Sequence, residues 1–444
     1  MTDEKLYGKT ADGVMTLAGH DVRELLREHG SPLVVMLEQV IRDNCRAYRE
    51  AMARRYPRSR VYYASKAFLT TGFCRLIEQE GLGLDVVSEG ELATALSAGF
   101  DPEMILMHGN AKTEDDLTLA LRSGVGRIVI DNLDEIGRLA RLTEELDVRA
   151  RVLIRVTPGV KPNTHQYVQT GQVDSKFGFN LEGGGAEQAV VRVKQVPRFE
   201  LAGLHCHIGS QIFALKPYAI AARTMMGFYA RVQRELGVPI SELNLGGGLG
   251  IRYAPDDCPP AVDEHINAMT AAVIAAAEEH GVEPPLLLDE PGRSIVGRAG
   301  VTLYTIQSTK RIPGVRNYAS VDGGMTDNPR YALYEARHHM LVASRLDQPA
   351  DTLWSISGRC CESGDMLIHD VTLPEITEGD VLAVLSTGAY THSMASNYNR
   401  VGRPAVVLAA PGRVGLLAAR ETAQELLRLD RIPAWLERGA AEED

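Results

Sequence analysis

Long apolar runs are missing from this 444-residue chain. No stretch reaches the roughly 18 consecutive apolar residues that would suggest a membrane-crossing helix. Positive charge is short as well. Lysine and arginine number 47 against 58 aspartates and glutamates, a formal net charge of −11. That balance speaks against nucleic acid or an anionic membrane as partner. Cysteine is sparse: residues 45, 74, 206, 258, 360 and 361 form no Cys-x-x-Cys pair. Neither a zinc ribbon, nor any other metal site, nor a secreted disulfide framework is expected. The start, Met1-Thr-Asp-Glu-Lys5, lacks a charged-then-apolar targeting pattern, so a cytoplasmic protein with reduced thiols is expected.

What is present is the profile of a globular enzyme. Hydrophobic residues make up 45% and charged residues 24%, in a chain long enough for two to three domains. Between residues 60 and 293, β-rich runs alternate with segments of helical spacing. The runs are Arg60–Ala67, Leu82–Ser88, Met104–Gly109, Arg127–Asn132, Arg151–Pro158, Phe199–Gly209, Glu242–Gly248 and Pro285–Arg293. Glu91–Ala98, Asp115–Arg122 and Ile266–His280 show the helical spacing. Eight such units predict an α/β fold, a parallel (β/α)8 barrel of TIM type rather than a doubly wound sheet. After Arg298 come β-rich runs parted by turn signals: Val301–Arg311, Tyr318–Val321, Leu353–Ile356, Val381–Leu385, Ala405–Ala410 and Val414–Arg420. They predict a second domain, a β-rich sandwich or partly closed barrel. The expected division is 45–295 for the barrel and 1–44 plus 296–444 for the β-rich domain. The early segment holds a helix, Asp21–His29, and a strand, Pro32–Leu37. Thr164–Gly171, with Ser175-Lys-Phe-Gly178 after it, is expected as a long active-site loop, and the acidic tail Glu437–Asp444 as frayed.

Barrels of this type build their sites at the carboxyl ends of the strands, and here those ends carry the polar residues. Run one ends at Lys66, a lysine able to condense with a carbonyl cofactor. Run two ends at Asp85 and Ser88, run three at His108-Gly-Asn-Ala-Lys112. Run six delivers His205-Cys-His207-Ile-Gly-Ser210-Gln211, run seven Gly246–Gly250, and run eight Glu290-Pro291-Gly292-Arg293. The glycine tract can turn backbone N–H groups towards an anion, and phosphate sites of this fold favour the loops after strands seven and eight. It lacks the lysine–serine ending of a nucleotide-triphosphate loop. Taken singly, each residue has a plain explanation: Lys66 a solvated lysine, Glu290 a helix cap, His207 a core histidine, Cys361 a small hydrophobe, Tyr390 a packing residue. Their joint position at predicted strand ends and loops favours a site. Far downstream, Gly358-Arg-Cys-Cys361-Glu362-Ser-Gly-Asp365 sets a thiol directly before a carboxylate.

These motifs resemble the fold-type III pyridoxal-phosphate (PLP) decarboxylases, whose barrel is alanine-racemase-like, and most closely the branch that acts on diaminopimelate. The resemblance runs through Tyr63-Ala-Ser-Lys66, Asp85-Val-Val-Ser88, His108-Gly-Asn-Ala-Lys112, Ser175-Lys-Phe-Gly178, His205–Gln211, Glu290–Arg293, Asp322-Gly-Gly-Met325, Cys360-Cys-Glu-Ser-Gly-Asp365 and Gly388-Ala-Tyr390. It implies PLP held covalently by Lys66, His207 against the ring and Glu290 at the pyridine nitrogen. Ser210, Gly247, Gly248, Arg293 and Tyr390 would lie at or beside the phosphate, with Pro291 and Gly292 among the cofactor contacts. Arg293, Arg330, Tyr334, Glu362 and Tyr390 would meet the substrate. Cys361 would be the proton donor, supplied with Glu362 by the partner subunit of a head-to-tail homodimer. The activity implied is decarboxylation of meso-2,6-diaminopimelate to L-lysine, the last step of lysine biosynthesis. Two arginines suit its distal carboxylate and Glu362 its distal ammonium.

Two stretches depart from the family pattern. Where Arg-Pro-Ala-Leu-Tyr-Gly is usual, this chain has Arg330-Tyr-Ala-Leu-Tyr-Glu335, so Tyr331 and Glu335 are expected to reshape the distal pocket. Phe179-Asn-Leu-Glu-Gly-Gly-Gly185 is rich in glycine. The alternative reading is a decarboxylase of the same fold acting on ornithine, arginine, or a conjugated, siderophore or antibiotic precursor; such enzymes tend to show Cys-Asp in place of Cys-Glu. A racemase would use a tyrosine base without the Cys-Cys-Glu motif. A non-catalytic relative would be expected to lose Lys66 or Cys361.

Overall fold

The computed structural model describes residues 6–160 and 174–437. Eight parallel strands form a closed barrel: Ser59–Ala64, Gly83–Val86, Ile105–Met107, Arg127–Ile130, Ala150–Thr157, Phe199–His205, Glu242–Asn244 and Leu286–Asp289. Each pairs with its neighbour in sequence, and the eighth returns to the first through Leu287↔Ser59 and Leu288↔Arg60. Every predicted run holds a strand, and every strand stops short of its run's polar end. Those polar residues leave the ladder and form the loops. Lys66, for instance, lies on the 3₁₀ turn Ser65–Ala67 just past the first strand.

Period-two alternation decides which side chains face inward. Tyr62, Leu106, Val129, Leu153, Ala202 and Leu288 meet in the lumen as a buried apolar plug. Their ladder neighbours, such as Val61, Leu84, Ile105 and Val152, join the layer packed under the outer helices. Each large side chain so buried contributes about 1.5–3 kcal/mol. Gly83 makes room for the plug, since a Cβ there would stand 2.3 Å from the Tyr62 ring. Towards the amino ends of the strands, Arg127 forks onto Glu242 at 2.6 and 2.7 Å, and Arg151 donates to the same carboxylate at 2.7 Å. At the opposite end the lumen is polar. Short connections there are fixed by caps: Ser88, Thr113 and Asn132 accept first-turn N–H groups of the helices Glu89–Ser97, Glu114–Ser123 and Leu133–Glu145. Lys112, grouped with the polar strand ends by sequence, is instead buried against Glu135 at 2.7 Å.

The β-rich part is organised by the long strand Gly300–Ile312. Its first half lies between Leu33–Leu37 and Val381–Leu385; its second half pairs with Arg316–Val321 after a register shift at Ile306/Ser308. Leu33–Leu37 also pairs, in parallel, with Ala405–Ala410. The predicted early helix runs from Val22 to His29, with Asp21 as its cap. Five strands of this part escaped the sequence reading: Met340–Val342, Met366–Leu373 and the three of a small sheet, Gly8–Lys9, Met15–Leu17 and His20–Asp21. Met340–Val342 is only three residues long, and in Met366–Leu373 Asp370 takes a φ of 54°, a bulge that breaks the alternation. Phe179–Gly185 is a short strand, Phe179–Asn180, and a 3₁₀ turn, Glu182–Gly184, entering the helix Gly185–Lys194; Gly183 and Gly184, at φ 82° and 79°, permit the turn. The expected loop Thr164–Gly171 and the tail beyond Glu437 lie outside the described residues. Among the described residues no helix is long and apolar enough to cross a membrane.

Candidate active site

A cavity of about 600 Å³ opens at the carboxyl ends of the barrel strands, against the β-rich part. Lys66, His207, Ser210, Gly248, Glu290, Gly292, Arg293, Arg330, Tyr334 and Tyr390 all line it. Gly247 and Pro291 stand just behind: a Cβ on Gly247 would lie 2.1 Å from the Glu290 carbonyl oxygen, and Ala64 donates to the Pro291 carbonyl at 3.2 Å. Cys361 and Glu362 do not join them. Both are exposed and outside the cavity of their own chain. Of Tyr331 and Glu335, only Glu335 reaches the cavity wall; Tyr331 turns away, its ring 5.8 Å from that of His369. The expectation that Tyr331 reshapes the pocket is therefore corrected. On the helical turn Arg330–Tyr334, adjacent residues point to different sides, and the arginine takes the cavity side.

Three lumen residues fix the charge of Glu290. Asn244 donates to its Oε1 at 2.6 Å, His108 Nε2 lies 2.9 Å from the same oxygen, and His205 Nε2 lies 3.2 Å from Oε2. Burial alone would raise this carboxyl, but the two imidazoles outweigh it and hold it well below the usual carboxylate range. Burial pushes His205 itself down to about 4. At the rim, Lys66 Nζ stands 3.6 Å from the buried Asp85 carboxylate. Burial pulls the ammonium down, Asp85, Tyr390 and Glu290 pull it up, and the result is about 12.

The other end of the cavity is built for anions. Gly246–Gly250 runs under it, and Gly248, with φ 116°, could not carry a side chain: a Cβ would meet the Gly209 oxygen at 2.2 Å. Arg293 donates to Ser210 Oγ at 3.0 and 3.3 Å and to the Tyr253 hydroxyl. Its guanidinium also lies 4.6 Å from the Tyr390 ring centroid. Tyr390 is held at φ 58°, a conformation costly for an aromatic residue, by its N–H bond to the Ala67 carbonyl at 2.9 Å. Arg330 is buried over the Tyr253 ring. Among the described residues no carboxylate lies within ion-pair distance of Arg293 or Arg330.

Known proteins agree with this geometry. Residues 38–297 match the family described as "Pyridoxal-dependent decarboxylase, pyridoxal binding domain". The chain is 46% identical over 418 residues to diaminopimelate decarboxylase of Bacillus subtilis, covering 94% of this chain and 95% of that one. It is 40% identical over 431 residues to the Synechocystis enzyme of the same name, at 95% and 91% coverage. The crystal structure of diaminopimelate decarboxylase from M. jannaschii in co-complex with L-lysine superposes with a TM-score of 0.92 at 35% identity, covering 98% of this chain and all (100%) of that one. The chain belongs to the diaminopimelate decarboxylase family.

The cofactor is pyridoxal phosphate, and the donor set fits it. One lysine stands on the cavity wall for the aldehyde, one locked carboxylate can face a pyridine nitrogen, and a glycine loop that tolerates no Cβ adjoins an arginine suited to a phosphate. Asp85, His108, Asn244 and Tyr253 were not assigned a role from sequence. For the first three the signal was available: counting alternate residues from Tyr62 around the barrel reaches the inward positions. Tyr253 lies in a loop, where no periodicity points to it.

Proposed function

We propose that the chain removes one carboxylate of meso-2,6-diaminopimelate as CO2 and releases L-lysine, acting in the cytoplasm as a head-to-tail homodimer. The observation that carries this reading is the pairing, in one cavity, of Lys66 and Glu290 at one end with two arginines that have no carboxylate partner among the described residues at the other. Bound PLP supplies an electron sink for the pair of electrons left when CO2 departs. Glu290, anionic throughout the neutral range, would favour a proton at the pyridine nitrogen. Lys66 would hold the cofactor through its aldehyde. Arg293 and Arg330 take the distal carboxylate, and lysine or ornithine as substrate would leave them buried and unpaired.

A proton must then reach the α-carbon. The partner subunit's Cys361 is proposed to deliver it, with the partner subunit's Glu362 receiving the distal ammonium. The exposure of this pair on its own chain, and the fixed turn that presents it, support that role: Asp365 accepts from Cys360 N at 2.7 Å and Met325 N at 2.6 Å. Residues 45–295 would thus hold the cofactor, while 1–44 with 296–444 complete the site and the subunit interface. A second reading rests on Glu335, a carboxylate on the cavity wall that could receive another ammonium. It keeps a different or conjugated diamino acid as the alternative. CO2 release from meso-diaminopimelate, lysine, ornithine and arginine, measured side by side, tests both. Release from ornithine or arginine at a rate matching meso-diaminopimelate would overturn the first reading.

A further inference from the structure

We propose that Tyr253, which belongs to none of the motifs above, is the positioning residue that keeps Arg293 and Arg330 side by side and open to a substrate carboxylate. The inference rests on the reading of the arginine end given under Proposed function.

Two guanidiniums in one cavity repel each other, and buried cations ordinarily take a carboxylate partner. Here a tyrosine stands in that place. The Tyr253 ring centroid lies 4.8 Å from Arg330 Cζ and 5.6 Å from Arg293 Cζ, and its hydroxyl accepts from Arg293 Nη1. The ring is itself fixed. The Tyr253 and Ala254 N–H groups both donate to Asp257 Oδ2 at 2.9 Å, which clamps the backbone. Behind it His338 packs edge-on, with centroids 5.0 Å apart and planes at 79°. His338 Nδ1 lies 2.9 Å from the Leu385 carbonyl, so the hydrogen is on Nδ1. Burial pushes that imidazole down to about 3, and it adds no third positive charge.

The chemical difference between a ring and a carboxylate is what matters. A carboxylate would occupy the forked N–H edge of an arginine and cancel its field. An aromatic face attracts the guanidinium through its plane and leaves the N–H edge for a ligand. Tyr253 therefore stabilises the empty pocket through its ring face, while its hydroxyl takes a single N–H of Arg293.

The test compares two inhibitors of the holoenzyme. L-Lysine retains a carboxylate for the arginine end, whereas 1,5-diaminopentane has none. Wild type is expected to bind lysine more tightly. Tyr253→Leu, which removes the ring, is expected to shrink that preference by about fivefold or more. Tyr253→Phe keeps the ring, so the preference should stay within about twofold. An unchanged preference in the Leu variant overturns the proposal, and so does a collapsed preference in the Phe variant, which decides the matter should the Leu variant not fold. If wild type itself does not distinguish the two inhibitors, the arginine end is misassigned and the functional reading fails, independently of Tyr253.

Discussion

Asp85 holds its buried carboxylate 3.6 Å from the Lys66 ammonium, so the lysine proposed to add to the cofactor aldehyde is kept protonated in the absence of that partner. Only the neutral amine adds to a carbonyl. Asp85→Asn should therefore speed PLP uptake by the apoprotein near neutral pH, by about tenfold for each unit the lysine pKa falls. Stopped-flow absorbance checks this, and a slower uptake would contradict it. Lys66→Ala should lose both the visible absorbance and CO2 release; turnover near the wild-type rate in that variant would remove the central claim.

Glu290→Gln keeps the shape of the cavity floor and discards its charge. Turnover is expected to fall by about 10²- to 10³-fold, with a changed visible spectrum. A wild-type rate would mean the carboxylate does not govern the ring nitrogen.

Cys361→Ala should lower turnover by about 10²- to 10⁴-fold while PLP stays bound. Mixing this variant with Lys66→Ala subunits should recover activity, since one of the two sites in a mixed dimer would then hold an intact lysine and an intact thiol. No recovery on mixing would argue against shared sites.

Asp327 offers a pH test away from the chemistry. Burial, helped by Asp365 and Asp322, raises its carboxyl to about 7 even though the Tyr304 hydroxyl donates to it. A folded value above the unfolded 3.8 means that its stabilising contribution is complete below about 3.8 and is lost as pH rises through about 7. Asp327→Asn can still accept from Gly324 N, a bond of 2.9 Å in the parent. Its melting temperature should exceed wild type at pH 8 and match it at pH 4. The same difference at both pH values in calorimetry would rule this out.

Arg127→Met would leave Glu242 with Arg151 alone in the closed end of the barrel. A loss of about 3 kcal/mol is expected from urea denaturation, the lower end for breaking a buried pair because one cation remains. No measurable loss would show that Arg151 suffices.

The barrel was legible because eight apolar runs ended in polar residues, and Lys66, His207, Glu290 and Arg293 could be read from those ends. The supports of Glu290 were harder to see. His108 and Asn244 matter through register, and register is a property of neighbouring strands rather than of one run. The pairing of Leu33–Leu37 with strands some 270 and 370 residues later leaves no local trace. Nor did the sequence separate Tyr331 from Glu335; the turn of Arg330–Tyr334 sends one to the core and the other to the cavity. Tyr253 was hidden for a different reason, since a single aromatic residue in a loop reads as packing until both guanidiniums are found against it.

Tyr62, Leu106, Val129, Leu153, Ala202 and Leu288 close the barrel bore like a stopper. Amino acid, cofactor and escaping gas must then share one doorway. Traffic at that mouth sets an upper bound on how fast the catalyst can cycle.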